Sequence, residues 1–139
     1  MPEPFRTTRL VEFHDTDMAG IMHFASFFVY MESAEHELIR SLGMSVHAQV
    51  EDEHVSFPRV NAACRYVSPA RCEEVLHIAV AVSRIGTKSV TYEFRFTRDG
   101  AEIAVGSMTA VFCRIAAGQP LASRPIPVEI ARKLRTYAV

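Results

Sequence analysis

The sequence carries almost no net charge: 15 Lys and Arg against 16 Asp and Glu leave −1. That balance removes the overall field that draws a protein to nucleic acid or to an anionic membrane, and no basic block supplies a local one. Cysteine is scarce. Cys64, Cys72 and Cys113 are odd in number and widely spaced, which fits neither a disulfide framework nor a zinc pattern, so reduced thiols in a cytoplasmic protein are expected. Met1-Pro2-Glu3-Pro4 has no charged or apolar leader region, and no apolar run approaches membrane-spanning length. Repeats, linkers and low-complexity tracts are missing. So are a Gly-x-Ser-x-Gly elbow and a His-Glu-x-x-His metal motif. What remains is a soluble chain of 139 residues, 49% hydrophobic, sufficient for one domain (residues 1–139) with a real core.

The patterning reads strand, helix, then strands in succession. Phe5 to Phe13 alternates as a strand. From about His23 to Leu42 the period lengthens: Phe24, Phe27, Phe28, Met31, Ala34, Leu38 and Leu42 form one apolar stripe, and Gly43 supplies a stop. Four extended segments follow, roughly Val55 to Val67, Glu74 to Ile85, Lys88 to Arg98 and Glu102 to Ile115. They are separated by Ser68-Pro69-Ala70-Arg71, Gly86-Thr87 and Asp99-Gly100. Short connections predict antiparallel neighbours in a meander. A short last helix is predicted from about Val128 to Tyr137, with Pro127 near its start. The class is α+β: an antiparallel sheet of about five strands around one long helix.

Chemistry concentrates in Phe13-His14-Asp15-Thr16-Asp17-Met18-Ala19-Gly20-Ile21-Met22-His23-Phe24, where strand gives way to helix. The first N–H groups of a helix lack intrahelical partners and sit at the positive end of its dipole, so they can polarise a carbonyl oxygen. An Asp beside them can attack that carbonyl or activate a water to do so. The same acids can also simply cap the turn. A metal site of His14, Asp15, Asp17 and His23 is disfavoured for want of a supporting ligand pattern, and no metal is expected.

The order of strand, Asp-Thr-Asp-Met-Ala-Gly-Ile and long helix, then Phe57-Pro58-Arg59-Val60, Tyr66-Val67-Ser68-Pro69-Ala70-Arg71 and the Gly-Thr-Lys-Ser turn, resembles the 4-hydroxybenzoyl-CoA thioesterase family of the hotdog fold. The resemblance covers about residues 5 to 115. It implies a curved sheet wrapped around the helix, subunits joined sheet edge to sheet edge as a homodimer or homotetramer, and acyl-CoA sites at the subunit interface. It implies Asp17 as the catalytic acid, the Phe24 N–H as the donor to the thioester oxygen, and Gly20 as the residue that turns the backbone, with Asp15 structural. Chemistry agrees: a thioester has a thiolate leaving group, so one carboxylate and one oxyanion donor suffice.

For the rest of the substrate, Arg84, Lys88 and Ser89 surround the Ile85-Gly86-Thr87 turn and are the candidates for holding coenzyme A phosphates, Lys88 foremost. His23, Met22 and Phe27 are candidates for the acyl group, although apolar residues at helical spacing also read as core. Ser26 and Phe27 stand where the family often has Asn and Tyr, so hydrogen bonding near the acyl group differs from that of a hydroxybenzoyl site. Arg59, in an otherwise apolar segment, calls for an acidic partner across the subunit interface. Glu32 and Glu35 read as surface or interface pairing residues, with a role as acids the alternative, because some related folds place a carboxylate on this helix. The expected activity is acyl-CoA hydrolysis, with coenzyme A entering as part of the substrate and no separate cofactor. A non-catalytic acyl-CoA or acyl-carrier binding module is the alternative, and dehydration of hydroxyacyl thioesters ranks third.

Overall fold

The structure, a computed structural model, describes residues 2–139. Its elements in chain order are β1 (Phe5–Leu10), α1 (Ser26–Ser41), β2 (Ala48–Val50), β3 (Glu53–Ser56), β4 (Arg59–Tyr66), β5 (Val75–Ile85), β6 (Ser89–Arg98), β7 (Ala101–Val111), β8 (Cys113–Ile115), β9 (Ala122–Ser123) and α2 (Val128–Leu134). The main sheet is antiparallel, five-stranded, and ordered β1-β5-β6-β7-β4. Period-two alternation points Leu76, Ile78, Val80 and Val82 of β5, and Val90, Tyr92, Phe94 and Phe96 of β6, to one face. There they meet Phe27, Met31, Ala34 and Leu38 of α1, all 3% exposed or less, in a single core. Burial of these side chains in place of propensity fixes the helix.

At Gly106 of β7 a Cβ would run into the Met31 thioether and lie 3.2 Å from the Ala63 carbonyl oxygen, so a larger residue there would require Met31 to shift. Gly43 ends α1 as expected, at φ +77 with its N–H on the Arg40 carbonyl.

Three expectations need correction. The helix has 16 residues, Ser26–Ser41, and does not begin at His23. The bend from Asp15 to Ala25 is consumed by a 3-10 turn at Phe13–Asp15 and a tight hairpin, which also ends β1 at Leu10. The meander holds for β5-β6-β7 but fails at residues 68–71, because β4 pairs with β7 while β5 pairs with β1 and β6. The connection therefore crosses the end of the sheet, and buried Ala70 is clamped there by the Met22 N–H at 2.7 Å.

The segments 55–67 and 102–115 are not continuous strands. The first breaks at Phe57-Pro58, where proline has no N–H for a ladder, and the second at Phe112. Their outer pieces join a separate four-stranded sheet, β2-β3-β8-β9. That sheet and α2 overhang the C-terminal half of α1.

Candidate active site

Residues 15–17 and 21–23 close on each other as a small hairpin. Thr16 bridges Met22, the Asp17 N–H reaches the Ile21 carbonyl at 2.9 Å, and the His23 N–H reaches the Asp15 carbonyl at 2.8 Å. Gly20, at φ +78, makes the turn, and its N–H donates to the Asp17 carbonyl at 3.0 Å. Asp17 sits half-buried on this hairpin. Its Oδ1 accepts the Ala19 N–H at 2.9 Å, and its Oδ2 has no partner among the described residues.

Asp15 is different. It is 8% exposed, and its Oδ2 accepts the Glu12 N–H at 3.0 Å and the Tyr30 hydroxyl at 2.6 Å. Burial first, then the adjacent Asp15 carboxylate, push the Tyr30 phenol well above its ordinary range, so it stays a proton donor at any physiological pH. Asp15 thus pins the hairpin to α1. Replacing Tyr30 by Phe should cost about 1.5–3 kcal/mol in urea unfolding, the range for a hydrogen bond to a charged group. An unchanged midpoint would show that the Glu12 N–H alone holds Asp15.

Phe24 lies two residues before α1. Its carbonyl accepts the Tyr66 hydroxyl at 2.9 Å, which ties the N-terminal end of α1 to the end of β4. Its own N–H has no partner among the described residues, whereas the next N–H, of Ala25, is taken by His23 Nδ1 at 3.1 Å. Accepting that bond leaves the His23 proton on Nε2, and the ring stacks on Phe24 at 4.6 Å. The donor expected at the helix start is therefore a free N–H in the lead-in, outside the helix proper.

Asp17, Gly20, His23 and Phe24 come together. Met22 and Phe27 do not join them on an open cleft: both are 3% exposed and belong to the core, with Phe27 edge-on to Tyr66 and Phe96 at 5.3 Å each. They take the core placement that apolar residues at helical spacing also allowed. Arg84, Lys88 and Ser89 lie at the far end of the 11-residue β5 and its turn, about 30 Å along the strand from Asp17 in the same chain. Arg84 and Lys88 are exposed, and Lys88 Nζ is 3.4 Å from Ser123 Oγ.

Arg59 finds its acid within its own chain. It grips Glu35 with both terminal guanidinium nitrogens, Nη1 to Oε2 at 3.0 Å and Nη2 to Oε1, and Glu32 lies 3.9 Å away. Glu35 is 1% exposed, so it is not the surface residue expected. Burial raises its carboxyl above the ordinary 4.5, with Arg59 opposing. Position 35 lies beside the apolar stripe of α1, between Met31 and Leu38; that placement, with an Arg in an apolar strand, was the available signal for the pair. The pair floors a cavity of about 590 Å³ between the C-terminal half of α1, the small sheet and α2.

This architecture is the hotdog fold, and over residues 11–134 the chain belongs to the thioesterase-like superfamily. A 1,4-dihydroxy-2-naphthoyl-CoA hydrolase of Nostoc punctiforme is 27% identical over 135 residues, covering 95% of this chain and 87% of that protein. A protein of the same name from Thermosynechococcus vestitus is 24% identical over 81% of this chain and 77% of its own. The solved structure of a gentisyl-coenzyme A thioesterase superposes with a TM-score of 0.82 at 26% identity, over 94% of this chain and 99% of that one. No helix among the described residues is long and apolar enough to cross a membrane.

Proposed function

We propose that the protein hydrolyses acyl-CoA thioesters to a carboxylic acid and free coenzyme A. The observation that carries this reading is one hairpin presenting a carboxylate oxygen, Asp17 Oδ2, and an N–H, that of Phe24, neither of which has a partner among the described residues. Asp17 attacks the thioester carbon or takes the proton of the water that does. The Phe24 N–H receives the oxyanion, and coenzyme A leaves as a thiolate. Gly20 holds the turn, and His23 borders it. Superfamily membership and relatives named as CoA-thioester hydrolases support the reading.

The working unit is a dimer joined through β4. This strand ends the main sheet with a free edge, and Val60, Asn61, Ala62 and Ala63 along it are exposed and uncharged. Such an edge invites a second copy. Val29 of α1 and Val60 are each 63% exposed and Phe24 62%, which extends the apolar surface such a copy would cover. A two-fold near Ala62 and Ala63 sets Arg59 opposite the partner copy's end of β4. The turn carrying Lys88 is then brought toward the Asp17 hairpin of the other subunit, where it can hold the nucleotide phosphates.

Release of free thiol from acyl-CoA tests the activity. No turnover on any acyl-CoA, with binding retained, would replace hydrolysis by the binding-module reading. Lys88→Ala should raise KM for acyl-CoA several-fold with little change in kcat, and should leave acyl-pantetheine unaffected, because only the former carries nucleotide phosphates. Equal losses on both substrates would return Lys88 to a solvated hairpin position.

A further inference from the structure

The N–H of Phe24 sits in a stretch of chain with little of its own to hold it. Phe24 precedes α1 and its side chain is largely exposed, so burial does not fix it. Ala25 caps the helix without a side-chain hydrogen bond, and no acid stands in the first turn. A helix start of this kind frays unless its N–H groups find other acceptors. A donor to an oxyanion, however, has to be aimed before the reaction begins, because preorganisation is the source of its effect.

Two side chains supply the missing restraint, and both act on one peptide group. The Phe24–Ala25 peptide has its carbonyl oxygen taken by the Tyr66 hydroxyl at 2.9 Å and its N–H taken by His23 Nδ1 at 3.1 Å. In a trans peptide these groups point in opposite directions from a rigid plane. The two bonds therefore grip opposite edges and stop the plane from swinging. The preceding peptide, His23–Phe24, is held at one edge only: its carbonyl accepts the Ser26 N–H at 2.9 Å, which leaves the Phe24 N–H on the other edge as the free one. With both planes fixed, the backbone dihedrals of Phe24 between them are fixed too. The N–H then has one direction.

The arms of this clamp are themselves anchored. Tyr66 ends β4, and its ring packs edge-on against Phe27 of the core at 5.3 Å. His23 is tied through its own N–H to the Asp15 carbonyl at 2.8 Å, and that carbonyl also accepts the Ser26 hydroxyl at 3.1 Å. Asp17 rides on the same hairpin, so acid and donor share one frame.

We infer that Tyr66 and His23 are positioning residues for the Phe24 N–H, holding the Phe24–Ala25 peptide from its two edges, and that His23 acts through Nδ1 and not by touching the substrate through Nε2. The inference deepens the thioester-hydrolysis reading and rests on it for what the N–H does.

The test uses Tyr66→Phe, which removes the hydroxyl and keeps the ring on Phe27, and a pair of changes at His23. Asn sets a carbonyl oxygen where Nδ1 stood and can still accept the Ala25 N–H, whereas Gln carries its amide to where Nε2 stood. Tyr66→Phe and His23→Gln should each lower kcat for acyl-CoA by about tenfold, part of the hundredfold or more that losing an oxyanion donor costs, with KM unchanged. His23→Asn should stay within about threefold of the wild-type rate. Combining Tyr66→Phe with His23→Gln should cost less than the product of the single losses, since a plane already free at one edge has little left to lose at the other.

Unchanged kcat in folded Tyr66→Phe and His23→Gln, beside an inactive Asp17→Asn, overturns the inference and leaves hydrolysis standing. So does the reverse order at position 23, Gln active and Asn not, which would make the ring a substrate contact through Nε2.

Hydrogen exchange of the Ala25 amide reads the clamp without any turnover. It should quicken by about tenfold or more in His23→Gln and stay slow in His23→Asn. Equal exchange in wild type and His23→Gln would show that His23 does not hold that N–H, and the inference falls. Absence of turnover by the wild type on any acyl-CoA is a separate failure: the hydrolysis reading goes first, and the clamp, even with its exchange pattern intact, has no oxyanion donor to position and goes with it.

Discussion

Asp17→Asn lowers thioester hydrolysis by about a hundredfold or more, the effect of removing a positioned base or nucleophile, while the protein stays folded and retains acyl-CoA binding. The substitution is close to isosteric. An amide oxygen can still accept the Ala19 N–H at 2.9 Å, so the bond that orients the side chain survives. What disappears is the charge and basicity of the oxygen that no protein group occupies. Thiol release at saturating acyl-CoA measures kcat, and thermal unfolding confirms the fold. Turnover near the wild-type rate would remove Asp17 from the reaction.

The neighbouring acid gives the contrast. Asp15→Asn replaces a carboxylate that accepts from both the Glu12 N–H and the Tyr30 hydroxyl, so its effect should be on the unfolding midpoint first. Abolished turnover at an unchanged midpoint would exchange the roles of the two acids.

The apolar stripe of α1 and the turns at Gly86-Thr87 and Asp99-Gly100 were legible in sequence through local chemistry, whereas the different settings of Asp15, buried with two partners, and Asp17, half-buried with one, are given by the fold. Asp99 and Gly100, with φ of 50 and 81, form the kind of left-handed turn that Asp-Gly predicts. What could not be read locally was long-range pairing. Residues 68–71 look like a hairpin turn, yet they carry the chain across the sheet end, because β7 competes with β5 for β4. Met22 and Phe27 are apolar residues next to a reactive hairpin, and only the closed packing against Ala70 and Phe96 decides that they serve the core. The second sheet depends on Phe57-Pro58 and Phe112 interrupting strands whose alternation otherwise runs on.

Arg59→Ala should destabilise the protein by about 3 kcal/mol near neutral pH, the lower part of the range for breaking a buried pair, since Arg59 itself keeps some solvent contact. The cost falls on Glu35, which is 1% exposed and left with an uncompensated charge. What relief remains is the Tyr92 hydroxyl, which interacts with the carboxylate, and His36 Nε2 at 3.9 Å, while Glu32 adds repulsion.

The loss therefore depends on pH, and its sign follows from the proton balance. Burial already holds the Glu35 carboxyl above 4.5 in the folded protein, and removing Arg59 takes away what opposes that rise. A group whose folded value is raised binds its proton in the folded state where the unfolded chain has released it. The stability linked to that proton is complete below about 4.5 and falls as pH climbs through the folded value. In Arg59→Ala the folded value is higher still, so the fall continues further toward alkaline pH. Urea unfolding should find the variant closer to wild type at pH about 5 than at pH about 8. Adding Glu35→Gln to it should flatten the dependence, because the amide carries no charge to bury. Equal destabilisation at both pH values, or no relief from the second substitution, would mean that Arg59 acts by packing its stem against Phe57 and Pro58 and not by neutralising Glu35.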